Sequence, residues 1–143
     1  MITKKISRLI PLVILSVAVS CGKPAHPSAV TARNFMDAYY VQADLKQAAT
    51  YADSLALEKV TTDAQLRDGQ AIDASTHHPR ISFKLIEEKV EGPSASYFYL
   101  LSFKPESGIK TEKKALLRVR ERDGGVWKVT QFTDFDAGQE TPK

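Results

Sequence analysis

Residues 94–104 read SASYFYLLSFK, and the alternation within this stretch decides the fold. Tyr97, Tyr99, Leu101 and Phe103 fall two residues apart, so a β-strand presents all four on one face. Working downstream, Pro105 to Gly108 is a turn. Lys113 to Arg122 alternates again, with Ala115, Leu117 and Val119 on one side and Lys114, Arg118, Arg120 and Arg122 on the other. Asp123-Gly124-Gly125 is a hairpin turn, because glycine accepts positive φ without steric penalty. Val126 to Phe132 (VWKVTQF) then returns as a partner strand. Upstream, Gly92-Pro93 ends an earlier strand in which Ile81, Phe83 and Leu85 alternate with Ser82 and Lys84. Four consecutive strands joined by short turns form an antiparallel sheet.

The first half of the chain has a different period. From about Ala29 to Ala56 apolar residues recur every three or four positions, as on one side of a helix. Ala32, Phe35, Met36, Tyr39 and Ala43 share the first such face, which Ser28 or Thr31 can cap. Asp44 caps or restarts a second helix, with Leu45, Ala48, Ala49, Ala52 and Leu55 as its apolar side. Thr62 with Gln65 has the capping-box spacing of a third short helix, which Gly69 would stop. Helices first and strands afterwards indicate an α+β fold, with the helices on one face of a curved four-stranded sheet. Tyr97, Leu117 and their neighbours are then expected to pack on Phe35, Met36 and Tyr39.

The helix Ala32–Tyr40 (ARNFMDAYY) and the closing strand Gly125–Val129 (GVWKV) resemble the first helix and last strand of the cone-shaped, cystatin-like superfamily of nuclear transport factor 2 and ketosteroid isomerase. The likeness spans roughly residues 29–135 and is a pattern of elements, not a catalytic motif. It implies a pocket between the helices and the concave sheet, in which a carboxylate and a Tyr or second acid act on a bound carbonyl compound in the enzymes. It also implies pairing of two copies through the sheet. Small lipoproteins of this fold are similar to this chain.

The N-terminus reads as an address. Met1 to Arg8 is short and basic, Leu9 to Val19 (LIPLVILSVAV) is apolar apart from Ser16, and small Ser20 precedes Cys21. That is the layout of a secretory signal over residues 1–20. An apolar run of eleven residues is shorter than the roughly 20 a spanning helix needs. Ala18-Val19-Ser20-Cys21 resembles the lipobox of bacterial lipoproteins, with Ala18 standing where Leu is more usual. The resemblance implies that Cys21 becomes the first mature residue and carries the lipid. Gly22, in place of an Asp, implies the outer rather than the inner membrane. Residues 21–28 are expected to be a lipidated linker, 29–136 a single domain and 137–143 a disordered tail.

Composition limits the chemistry. The chain holds 20 Lys and Arg against 17 Asp and Glu, and Lys4, Lys5 and Arg8 of the expected signal account for that surplus. A neutral mature body has no excess of cations for nucleic acid, which is not an expected partner. One cysteine excludes an internal disulfide. His77 and His78 are adjacent, His26 lies in the linker, and no metal-ligand spacing occurs, so neither a metal nor a cofactor is expected. No phosphate loop or Gly-x-Ser-x-Gly elbow is present.

Pocket candidates are Tyr39, Tyr97 and Tyr99 for ligand binding, with Asp37 and Tyr40 nearby in sequence; none carries a spacing that marks a catalytic residue. Lys114, Arg118, Arg120 and Arg122 form a basic stripe suited to an anionic headgroup or polymer. The expectation is a non-enzymatic envelope lipoprotein that binds a protein partner or a small apolar ligand. The alternative is a divergent isomerase or hydrolase using a pocket carboxylate and Tyr.

Overall fold

The computed structural model describes residues 22–68 and 80–138. Cys21 with the expected signal, the junction holding Gly69, His77 and His78, and the tail from residue 139 lie outside the described residues.

Helix α1 runs Pro27–Met36, a π-helical turn covers Asp37–Val41, and α2 (Leu45–Thr50) and α3 (Ser54–Asp68) follow. Strands β1 (Arg80–Glu91), β2 (Ser94–Lys104), β3 (Thr111–Arg122) and β4 (Val126–Asp136) form one antiparallel sheet in the order β1-β2-β3-β4. This is the α+β, nuclear transport factor 2-like architecture, with helices on one sheet face. The hairpin between β3 and β4 turns through Gly124 and Gly125, at φ 78° and 75°.

The core lies where the helices meet the concave face. Phe35, Met36, Tyr97, Leu101, Leu117, Val119 and Val129 are fully buried there. Each large apolar side chain so buried contributes roughly 1.5–3 kcal/mol. Along β2 the inward Ala95, Tyr97, Tyr99 and Leu101 are buried, Phe103 near the strand end is half-buried, and the outward positions from Ser94 to Ser102 are half-buried.

Four local features depart from the sequence expectation, each for a physical reason. The first helix starts two residues before Ala29, because Pro27 presets helical φ at the first turn and His26 accepts the Ser28 N–H. The π turn inserts one residue, with the Gln42 N–H donating to the Asp37 carbonyl at 2.9 Å. The helical phase shifts, so Tyr40 joins Tyr39 in the core, and Ala43 is exposed at φ 53° instead of on the apolar face. Asp44 does cap α2, accepting the Gln47 N–H at 3.0 Å. Thr62 caps nothing: it sits inside α3 and its hydroxyl donates to the Glu58 carbonyl at 2.9 Å. Tyr51 and Asp53 bond backbone-to-backbone with Val129 on the β4 edge, which restarts the helix at Ser54. Ala56 and Val60 therefore face inward, and Leu55 is exposed.

Candidate functional site

The tyrosines of the concave face form two groups. The first is made by the π turn. Consecutive residues on an ordinary helix point about 100° apart; here the wider turn buries both Tyr39 and Tyr40. The Tyr39 hydroxyl donates a short hydrogen bond to Asp63 on α3, and the Tyr40 hydroxyl donates to Asp134 on β4 at 2.9 Å. Phe35 stacks on Tyr39 with centroids 5.6 Å apart, and Phe132 meets both rings edge-on at 4.8 Å. Lys59 Nζ lies 4.4 Å from the Phe132 centroid, a cation–π contact. Burial, reinforced by the neighbouring carboxylates, holds both phenols well above their ordinary range. Each hydroxyl is committed to a carboxylate, so this group is a set of completed structural bonds.

The second group lies on β2. Tyr97 and Tyr99 point the same way, with centroids 6.5 Å apart, and Phe83 of β1 meets Tyr99 edge-on at 5.5 Å. Tyr97 shares a 2.5 Å hydrogen bond with Ser28, which in turn lies 2.7 Å from His26 Nδ1. Ser28 is fully buried, and the His26 ring packs edge-on against Trp127 at 5.2 Å. His26, Ser28 and Tyr97 together pin the start of α1 to the sheet.

Tyr99 differs. Its residue is only 3% exposed, yet among the described residues its hydroxyl has no hydrogen-bond partner. The oxygen is not a fully buried orphan, so it keeps a small contact with solvent at the concave wall. Burial of the ring pushes its pKa up to about 12, Tyr97 and Glu88 push the same way, and Arg33 pulls it down. The phenol is therefore neutral at physiological pH and can both donate and accept a hydrogen bond.

Glu88 is a residue that the sequence reading missed. The β1–β2 register slips between Leu85 and Glu87, which makes Ile86 an extra residue. Beyond that bulge Glu88 faces Tyr97 across the strands on the concave side, and Val90 faces Ala95. The signal was present as the consecutive apolar pair Leu85-Ile86, which breaks the alternation. Leu85 and Val90 are each 40% exposed, so this part of the concave wall is open and apolar.

Of the sequence candidates, Tyr97 and Tyr99 come together, while Tyr39 joins the other group. Asp37 accepts a hydrogen bond from Gln42 at the outer side of the π turn. Among the described residues no cluster of three or more His, Cys, Asp or Glu can hold a metal ion.

The cone and its wall of aromatic rings define a class of architecture. No family model matches the chain, and no curated protein does. Among solved structures the chain is similar to a ketosteroid isomerase-like protein from Erwinia carotovora atroseptica, with a TM-score of 0.56 and 10% identity over 78% of this chain and 95% of that one. A second match is the intermembrane space region of the chloroplast protein ARC6, with a TM-score of 0.43 and 10% identity over 80% of this chain and 100% of that one. The first likeness places this chain in the nuclear transport factor 2-like fold.

Proposed function

We propose that this protein is a membrane-tethered envelope lipoprotein whose concave wall binds a small apolar molecule through one polar end, without catalysing its reaction. The observation that carries the binding is the Tyr99 hydroxyl. A buried ring with an unpartnered oxygen at an open apolar wall suits a ligand that is mostly apolar and has a single hydrogen-bonding group. Arg33 and Glu88, both near enough to act electrostatically on the Tyr99 phenol, add polar selection. Native mass spectrometry of the chain extracted from its own membranes tests this. A discrete small-molecule adduct that is lost in Tyr99→Phe is expected; the same adduct in wild type and variant would overturn it.

The tether is supported by the sequence leader and Cys21. Metabolic labelling with a palmitate analogue is expected to mark the mature chain and to fail in Cys21→Ser.

One observation favours a second reading, a divergent isomerase. Glu88 is a carboxylate brought by a bulge to face Tyr97, and bulges often re-aim side chains toward active sites. Against it stands the exposure of Glu88, whose carboxylate lies in water and not in an enclosed pocket. Proton exchange at the α-carbon of cyclic ketones that is abolished in Glu88→Gln would favour the enzyme over the binding module.

A further inference from the structure

The helices cover only the concave face of the sheet; the convex face has no covering layer among the described residues. The register places Phe98 opposite Leu116, with Leu100 and Phe135 beside them, all half-buried and facing outward. Around this apolar strip stand Lys84, Lys104, Lys114, Arg118 and Arg120. Arg118 and Arg120 are exposed and make no side-chain hydrogen bond or ion pair among the described residues. The outward acids are Glu87, Glu91 and Glu112: Glu87 is exposed opposite Phe98, while Glu91 pairs with Lys89 and Glu112 with Lys110, both at 2.9 Å. Other carboxylates lie off this face, among them Asp37, Asp44, Glu58 and Asp68 on the helical side and Glu88 and Asp136 on the concave side. The convex face thus carries more cations than acids, in a chain whose formal net charge is +3.

Charge sign selects the occupant. Two copies packed face to face would bring cations onto cations, whereas an anionic surface complements them. The chain emerges at the right end. His26 is held on Trp127, at the start of β4, and the register sets Arg120 beside Ser94 and Lys128 at that same end of the sheet. Only Gly22 to Ala25 separate His26 from Cys21, a reach of roughly 14 Å at about 3.3–3.6 Å per residue.

We propose that the convex face docks on an anionic phospholipid bilayer, its cations over the headgroups and the Phe98–Leu116 strip at the interface. This leaves the concave wall facing away from the membrane. The proposal rests on the tethering reading for the nearness of the bilayer, and its test removes that dependence. The chain from Cys21 onward carries every core residue, and Cys21→Ser in it takes acylation out of the measurement.

Co-sedimentation is measured with vesicles of phosphatidylcholine alone and of phosphatidylcholine mixed with phosphatidylglycerol. Binding to the mixed vesicles only is expected, and it weakens as salt rises. Arg118→Glu with Arg120→Glu is expected to weaken it about thirtyfold or more, since each cation near an anionic surface is worth about 1 kcal/mol. Lys46→Glu on the helical side is expected to change it little, and circular dichroism checks that both variants are folded. Equal binding to neutral vesicles, or no loss in the folded double variant, would overturn the proposal. So would a dimer that Leu116→Glu dissociates, because a second copy would then own the face. Unlabelled Cys21 in cells alongside intact vesicle binding sinks the tether alone; a labelled Cys21 with no vesicle binding sinks the docking alone.

Discussion

The tyrosine pair on the π turn and the tyrosine pair on β2 use the same side chain for opposite purposes. Tyr39 and Tyr40 each donate a hydrogen bond to a carboxylate, and the four groups lock the π turn, α3 and β4 together. Tyr97 does likewise through Ser28, but Tyr99 buries its ring and leaves its oxygen unpartnered. A fold spends most of its buried polar groups on itself, because an unmatched one costs about 1–3 kcal/mol. A hydroxyl left open at the wall is therefore where a ligand can bind without first breaking an internal bond.

The largest effect separating the groups is expected from Phe35→Ala. This ring stacks on Tyr39 and meets Phe132, so its loss should cost about 3–5 kcal/mol by urea denaturation. Tyr40→Phe comes next, at about 1–3 kcal/mol, because Asp134 loses its donor at a partly buried position. Ser28→Ala removes the link between Tyr97 and His26 and should cost about 1 kcal/mol. Tyr99→Phe should lie within about 0.5 kcal/mol of wild type, since no internal bond is lost. A Tyr99→Phe cost as large as that of Tyr40→Phe would erase the distinction.

Alkaline pH sharpens the same contrast. Tyr39 and Tyr40 have folded pKa values above their unfolded value near 10, so the unfolded chain releases protons that the native chain retains. Their contribution is complete below pH 10 and is lost as pH climbs beyond it. Stability measured between pH 9 and pH 11 should fall, and the fall should be shallower in Tyr40→Phe. Acid acts through another pair: the Arg122 guanidinium, 2.7 Å from Asp53, holds that carboxyl below its ordinary range. Its contribution is present above about pH 4 and lost as pH falls through the lowered value; being at the surface, it should also fade with salt.

Much of this fold was legible because strands with one buried face must alternate, and Tyr97, Tyr99, Leu101, Ala115, Leu117 and Val119 do so without a break. The π turn was not legible, since its extra residue leaves the spacing of Phe35, Met36 and Tyr39 intact and betrays itself only at Ala43. His26 read as linker because histidine is an uncommon cap, and its bonds to Ser28 and its packing on Trp127 exist only in the folded chain. The basic stripe was visible in the β3 alternation, but the pairing of Arg122 with Asp53 spans 69 residues and depends on the return of the chain along β4. The site was half legible. Tyr97 and Tyr99 share a face by period, whereas Glu88 reaches the concave side only through a one-residue slip.

The claim that the open phenol is the binding point is tested most directly by tyrosine Cζ labelling and a titration with octanol, a probe that is apolar with one hydroxyl end. The Tyr99 resonance should move and saturate while those of Tyr39 and Tyr40 hold still. Saturable movement at Tyr39 or Tyr40 with Tyr99 unmoved, or no movement at any of the three, would contradict the account.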